Sequence, residues 1–139
     1  TIILVRHAEK TSDGTNDPVL STKGKSRSQR LATMFSKTNF TAIYSTPYQR
    51  TEQTAAPLAQ LNDLEITIYD PTDPNFIATL LNVEKGGTIL LTGHSNTTPR
   101  YANQLLGEDK FEQFEESDYG NIIIITTKEK STTQVHIRY

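Results

Sequence analysis

The length, composition and charge of the chain set the first limits on what the protein can be. Its 139 residues suit one ordinary domain with a substantial core, and we expect a single domain over residues 1–139. A formal net charge of -2 gives no indication of a general nucleic-acid binder. The absence of cysteine from the sequence excludes disulfides, thiolate nucleophiles and cysteine-ligated zinc.

The sequence contains no apolar run that approaches the ~18 residues a membrane-spanning helix needs. We therefore predict no membrane span. The chain starts at Thr1 rather than at methionine, so both a cytoplasmic location and export after loss of an N-terminal segment are compatible with it.

The first predicted element is a β-strand that is buried on both faces. Residues 2–5 are consecutive apolar residues and mostly β-branched, a pattern typical of parallel sheets covered by helices. The strand leads directly into Arg6 and His7. Because open α/β sheets bind ligands at the carboxyl ends of their strands, this strand end is a candidate site.

A long loop and a helix are predicted next. Residues 10–20 are rich in turn-forming residues and predict a loop beside the candidate site. Ser21 is a suitable N-cap for a helix that runs to about Ser36, and Gly24 in its first turn indicates a close approach to neighbouring backbone. The residues expected on the buried face of this helix are Leu31, Met34 and Phe35.

The second strand is predicted over residues 40–44 and ends in the polar residues 45–48. A helix is expected to follow over residues 49–56, where Pro57 would break or kink it. Residues 58–61 would then form only a last helical turn.

The third and fourth strands are predicted over residues 65–69 and 88–92. Between them, Asp73 as N-cap and Pro74 in the first helical position predict the start of a helix. Its expected buried face comprises Ile77, Leu80 and Leu81. The fourth strand leads into residues 93–96, which repeat the pattern at the end of the first strand.

One more helix and an acidic segment complete the chain before its C-terminal strands. Pro99 suits the first position of the helix and Gly107 its end. The inward-facing residues of this helix are expected to be Tyr101, Ala102, Leu105 and Leu106. Residues 108–118 hold six acids, and we interpret them as a solvated surface with Phe111 and Phe114 beneath it.

The order of these elements predicts the fold class. Strand followed by helix, four times, implies right-handed crossovers and a mostly parallel sheet. Residues 121–127 and 132–137 add an antiparallel hairpin at the C-terminus. We therefore predict an α/β fold, a three-layer α/β/α sandwich around a mostly parallel sheet of about six strands with an antiparallel C-terminal strand.

This topology gathers chemically active side chains at one edge of the sheet. The residues expected there are Arg6, His7, Arg50, Asp70 and His94. Arginine binds phosphate oxygens bidentately, a neutral imidazole can attack phosphorus, and a second imidazole can hold or donate a proton. The grouping indicates phosphoryl transfer, and two histidines without a third ligand argue against a metal site. We interpret His136 as structural and Lys10 as an ordinary loop charge.

Three motifs follow the predicted strands, namely Arg6-His7, Arg50 within residues 45–55, and His94 within residues 93–96. Together, in this order, they resemble the histidine phosphatase superfamily, also called phosphoglycerate mutase-like. The compact chain is similar to the short bacterial members of that family, which include protein phosphohistidine phosphatases.

The resemblance implies a phosphatase that needs neither metal nor cofactor. His7 would be the nucleophile and would carry a transient phosphoryl group, while Ala8 stands where the commonest family pattern has glycine. The phosphate pocket and substrate-binding residues would be Arg6, Arg50, His94 and Ser95. The substrate would be a phosphorylated small molecule, such as a phosphate ester, or a phosphoprotein carrying phosphohistidine. A phosphomutase and a non-catalytic phosphate-binding module of the same fold are the alternatives.

The general acid of the reaction is left open by the sequence. Some branches of the family carry an aspartate directly after the second histidine, a place that Ser95 takes here, and others carry a glutamate after the third strand. Asp70 is the preferred candidate by position, although it could equally cap its loop, and Asp73 and Glu9 are the alternatives. Without an acid, phosphoramidates and acyl or aryl phosphates would be favoured over alkyl phosphates.

Overall fold

The structure, a computed structural model that describes residues 1–129 and 131–139, contains six strands and four helices in this range. The strands are β1 (Ile2–Arg6), β2 (Ala42–Ser45), β3 (Ile66–Ile68), β4 (Ile89–Gly93), β5 (Asn121–Lys128) and β6 (Ser131–Arg138). The helices are α1 (Thr22–Met34), α2 (Gln49–Asn62), α3 (Phe76–Val83) and α4 (Thr97–Leu106). None of these four helices has the length and apolar character needed to cross a bilayer.

All six strands belong to one sheet, in the order β3-β2-β4-β1-β5-β6. β1 pairs in parallel with β4, β4 with β2, and β2 with β3. β5 lies antiparallel to β1, and β6 lies antiparallel to β5. Every residue of β1 is buried, in agreement with its apolar sequence. The predicted α/β class, with a mostly parallel sheet and an antiparallel C-terminal part, is confirmed.

Two apolar clusters pack the helices against the two faces of the sheet. Successive side chains of a strand point to opposite faces. Leu4 accordingly packs with residues of α3 and α4, whereas Ile3 packs with residues of α1 and α2. Three layers result, and the loops after the parallel strands β1, β2 and β4 open on the same edge of the sheet.

Small residues form much of the buried face of α1. The Ser21 hydroxyl accepts a hydrogen bond from Gly24 N, which confirms the predicted N-cap. A Cβ on Gly24 would lie 2.1 Å from the Glu9 carbonyl oxygen, so the helix lies against that backbone as expected. The helix ends at Met34, before the predicted Ser36, and Met34 is 44% exposed rather than buried. The prediction is wrong for Met34, because the buried stripe consists of Gly24, Ser28, Leu31 and Ala32, whereas Leu31 is buried and Phe35 partly buried as expected.

The α2 helix continues through Pro57 to Asn62, so the predicted break at this proline is wrong. Proline has no N–H to donate to the carbonyl of Gln53, four residues earlier. The Ser28 hydroxyl of α1 donates to that carbonyl at 2.9 Å and also lies 3.1 Å from the Thr54 carbonyl. The neighbouring helix therefore satisfies the acceptor that Pro57 leaves open.

The start and the buried face of α3 also differ from the prediction. Asp73 is not the N-cap, because its carboxylate accepts a hydrogen bond from Asn75 N at 2.9 Å in a turn that precedes the helix. Asn75 occupies the N-cap position. Leu81 is 39% exposed, and Phe76 lies on the buried face instead.

The α4 helix and the segment after it cover the same face of the sheet. Gly107 ends α4 with a φ of 72°, as predicted, whereas Pro99 is the third helical residue rather than the first. Phe111 and Phe114 pack against the core and are partly buried, in agreement with their interpretation. The C-terminal hairpin is confirmed, and residue 130 of its predicted turn lies outside the described residues.

Candidate active site

A cavity of about 650 Å³ opens at the edge of the sheet where β1, β2 and β4 end. Five of the predicted site residues line this cavity, namely Arg6, His7, Arg50, His94 and Ser95. The tertiary structure brings them together from three separate segments of the chain. Lys10, which the sequence suggests is an ordinary loop charge, also lines the cavity.

The two histidines face each other at the base of this cavity. Their ring centroids are 5.4 Å apart, with the ring planes at 66°. The His7 backbone N–H donates to the Gly93 carbonyl at 2.9 Å, which joins the end of β1 to the end of β4. The parallel pairing of these two strands therefore sets the spacing of the two imidazoles.

The hydrogen bond of the His7 ring fixes which of its two nitrogens carries the proton. Its Nδ1 lies 2.8 Å from the Ala8 carbonyl oxygen, which can only accept, so Nδ1 donates and Nε2 keeps a free lone pair. Burial is the main cause that lowers the pKa of His7 to about 3, and the nearby His94, Arg6 and Arg50 lower it further. The ring is therefore neutral at pH 7 and has a nucleophilic nitrogen.

His94 is held by a chain of buried hydroxyl groups. Its Nε2 lies 2.9 Å from Thr46 Oγ1, which in turn lies 2.9 Å from Thr51 Oγ1. Burial is the largest cause that lowers the pKa of His94 to about 4, followed by the charges of Arg50 and Arg6. Sequence reasoning misses Thr46 and Thr51, although the first belongs to the polar run after β2.

The guanidinium group of Arg6 is fixed by backbone carbonyls of the acidic segment. Nη1 donates to Glu115 O and Asp118 O at 2.8 Å, and Nη2 donates to Glu116 O at 3.0 Å. The Tyr119 ring lies below the group, with its centroid 4.2 Å from Arg6 Cζ. Only the Arg6 Nε–H is left without a hydrogen-bond partner among the described residues.

Arg50, like Arg6, has buried guanidinium nitrogens without a hydrogen-bond acceptor among the described residues. Its guanidinium lies over the Tyr48 ring, 4.5 Å from the centroid, and its Nη1 is 3.7 Å from an Asp17 carboxylate oxygen. Arg50 Nε and Nη1 are buried and make no hydrogen bond within the described part of the chain. Together with Arg6 Nε, three guanidinium nitrogens therefore have no acceptor among the described residues, and an oxyanion would supply one.

The N-terminus of α4 adds to the positive potential of this cavity. Residues 95–97 precede or begin the helix and line the cavity wall. The first turn of a helix carries a partial positive charge and unpaired backbone N–H groups. An anion at the cavity base is therefore stabilised by two guanidinium groups and by this helix end.

The candidate general acids from the sequence do not line the cavity. The Asp70 carboxylate accepts hydrogen bonds from the backbone and hydroxyl of Thr72, which hold its pKa below the usual value. Glu9 forms a salt bridge to Arg27 at 2.7 Å, and Asp73 caps its own turn. Asp70 is therefore placed as a loop-capping residue.

The carboxylate that does line the cavity is Glu116, from the segment interpreted as solvated surface. Its oxygens lie 3.4 Å from Arg6 Nη2 and 3.6 Å from Lys10 Nζ. The sequence offers no signal for this placement, because it depends on how residues 108–118 cross the sheet edge. His136 bonds to Asn121 in the neighbouring strand, outside the cavity lining.

Because His7 is neutral in the folded protein, the stability of the fold depends on pH. Between pH 6.5 and about 3 the unfolded chain binds a proton at this ring and the folded protein does not, so stability falls as the pH falls. At pH 5 the loss attributable to His7 is expected to be about 2 kcal/mol relative to pH 8. Urea unfolding at both pH values should show this extra loss in the wild type and not in His7→Ala. Equal losses in the two proteins would contradict the neutral assignment.

The comparisons with known proteins define the class of this protein. The model of the histidine phosphatase superfamily (branch 1) matches residues 2–71. The chain therefore belongs to the histidine phosphatase superfamily. It is 39% identical over 75 residues to phosphoserine phosphatase 1 of Hydrogenobacter thermophilus, and the aligned stretch covers 50% of this chain and 36% of that protein.

Solved structures share the fold over almost the whole chain. The protein histidine phosphatase SixA complexed with tungstate has a TM-score of 0.79 at 18% identity, covering 99% of this chain and 96% of that one. A mutant phosphoserine phosphatase from Entamoeba histolytica, in complex with phosphoserine, has a TM-score of 0.74 at 16% identity, with coverages of 96% and 93%. At such identities the likeness establishes the fold.

Proposed function

We propose that this member of the histidine phosphatase superfamily is a metal-independent phosphatase that works through a phosphohistidine on His7. The observation that carries the proposal is one cavity lined by a neutral imidazole with a free lone pair and by two arginines, three of whose buried guanidinium nitrogens have no acceptor among the described residues. The oxygens of a phosphoryl group satisfy those donors, and its phosphorus is the electrophile that the imidazole requires.

The reaction proceeds in two displacements. His7 Nε2 attacks phosphorus in line with the leaving group, so that an N–P bond forms and the bond to the leaving atom breaks with its electron pair. Arg6 and Arg50 stabilise the charge on the equatorial oxygens. Water then attacks the phosphohistidine, which releases inorganic phosphate and returns the neutral ring.

His94 responds to the charge of the substrate in this proposal. Its pKa is lowered in the free protein by burial and by Arg50 and Arg6. A phosphoryl dianion between these groups offsets the two guanidinium charges and favours protonation of His94. The protonated ring can then donate to a phosphoryl oxygen while Thr46 keeps its orientation.

The carboxylates of the site favour substrates whose leaving groups need little protonation. Asp70 lies outside the cavity lining, and Glu116 forms salt bridges to Arg6 and Lys10, so neither is placed to give a proton. Phosphoramidates such as protein phosphohistidine, and aryl or acyl phosphates, meet this requirement. Alkyl phosphates are expected to react more slowly, because an alkoxide is a poor leaving group.

The test of this function is hydrolysis of 4-nitrophenyl phosphate in the presence of excess EDTA. We expect the rate to be unchanged by the chelator, because guanidinium and imidazole groups supply the positive potential that a metal would otherwise provide. Within the described residues, no group of three His, Cys, Asp or Glu side chains could hold a metal ion. Loss of activity on chelation, restored by a single divalent cation, would contradict the proposal.

A further inference from the structure

A second cavity, of about 470 Å³, adjoins the catalytic cavity and shares part of its wall. The shared residues are Asn96, Arg100 and Gln113, which line both cavities. The space beyond the phosphoryl site therefore continues past Arg100. Glu108 and Asp109 line the second cavity but not the catalytic one, so the only part of its wall that favours an anion is the part that Arg100 shares with the catalytic cavity.

Arg100 differs from the other cations of the catalytic cavity in having no counter-ion. Arg6 and Lys10 share Glu116, and Arg50 lies near Asp17. Within residues 1–129 and 131–139, no carboxylate comes within 4.0 Å of the Arg100 guanidinium nitrogens, whereas each of those three cations has one. Glu108 and Asp109 line the second cavity with Arg100 but form no ion pair with it, so among the described residues Arg100 presents its charge to the shared wall without a direct partner.

The guanidinium group of Arg100 is nevertheless held in one place. Its Nη2 donates to the Pro71 carbonyl at 2.6 Å, and its Cζ lies 4.9 Å from the centroid of the Tyr101 ring. The Tyr101 hydroxyl donates to the same Pro71 carbonyl at 3.2 Å. These contacts orient the fork before any ligand arrives.

We propose that Arg100 is a second anion-binding residue, which selects phosphorylated substrates with another anionic group on the leaving group. The fork of a guanidinium matches both a carboxylate and a phosphate, and each charge-assisted contact is stronger than a neutral one. This inference rests on the proposed phosphatase function and adds to it the substrate class. The preferred substrates are aryl phosphates, acyl phosphates or phosphoramidates that carry a second negative charge.

A matched pair of aryl phosphates tests the proposal. The compounds 4-carboxyphenyl phosphate and 4-carbamoylphenyl phosphate have nearly the same shape and differ in one negative charge. The wild-type protein is expected to prefer the carboxylate by about tenfold in kcat/KM, mainly through KM. In 4-(carboxymethyl)phenyl phosphate the carboxylate lies farther from the ring. In 1,4-phenylene bisphosphate a phosphate replaces the carboxylate, so the series shows which of the two anions the protein prefers.

Substitution of Arg100 should remove this preference selectively. In Arg100→Gln the ratio of kcat/KM values for the anionic and neutral substrates is expected to fall about tenfold, and Arg100→Lys should recover part of it. Arg30→Gln makes the same change of charge on the exposed side of α1, outside both cavities, and should leave the ratio unchanged.

The possible results distinguish the second anion site from the proposed phosphatase function on which it rests. Hydrolysis of all these substrates without any preference for the anionic ones, or an equal loss for both members of the pair in Arg100→Gln, would overturn the second anion site and leave the phosphatase intact. Hydrolysis of none of them by the wild-type protein would remove the proposed function and this inference together.

Discussion

Replacement of His7 by alanine is expected to reduce kcat for 4-nitrophenyl phosphate by about 10⁴-fold or more, because no other group in the cavity has its free lone pair at the same place. The protein should still fold. His7 follows the apolar run of β1, and its ring makes one hydrogen bond, to the carbonyl of the next residue. Thermal melting and circular dichroism report the fold, and steady-state kinetics report the turnover.

His136→Ala is the matched control for this substitution. His136 lies in β6, bonds to Asn121, and does not line the catalytic cavity. The control should keep the wild-type turnover, which excludes a general effect of losing an imidazole. A folded His7→Ala protein with wild-type turnover would remove our central assignment.

The second large effect concerns the phosphorylated intermediate. Rapid acid-free quenching during turnover of ³²P-labelled substrate should trap label on the wild-type protein and none on His7→Ala. The bond should be labile to acid and stable to base, as a phosphoramidate is. Peptide mapping should place it on His7, because Nδ1 is engaged by Ala8 O, Nε2 keeps a free lone pair, and Arg6 and Arg50 line the same cavity.

The stability and position of the label discriminate between mechanisms. An acid-stable, base-labile adduct on Ser45 or Ser95, or an acyl phosphate on Asp70, would show that the protein is a phosphatase with a different nucleophile. Turnover with no adduct at any time point, under single-turnover conditions with adequate time resolution, would indicate direct attack by water. Either result would contradict the two-step displacement.

The acidic segment acts at the site through its backbone more than through its charges. The carbonyl oxygens of Glu115, Glu116 and Asp118 hold the terminal nitrogens of Arg6, and the next residue, Tyr119, supports the group from below. Arg6 consequently offers its Nε–H to the cavity in a fixed direction.

Much of the fold and of the candidate site follows from local sequence patterns. A run of apolar, mostly β-branched residues can form β1 only as a buried strand, and polar residues that follow such a run must lie at its carboxyl end. For that reason Arg6 and His7, and likewise His94 after β4, can be predicted as candidate site residues without a structure. Their grouping with Arg50 follows from the parallel topology, which the alternation of strands and helices already implies.

The tertiary structure alone decided the features that depend on contacts between distant segments. The continuation of α2 through Pro57 requires the Ser28 hydroxyl of a neighbouring helix. The exclusion of Asp70 from the cavity and the presence of Glu116 depend on loop paths, because loops are shaped by side-chain and backbone contacts that have no periodic signature. The pKa of His7 is lowered chiefly by burial, and also by His94 and Arg50, which are distant in the sequence, so its protonation state could not be read from local sequence.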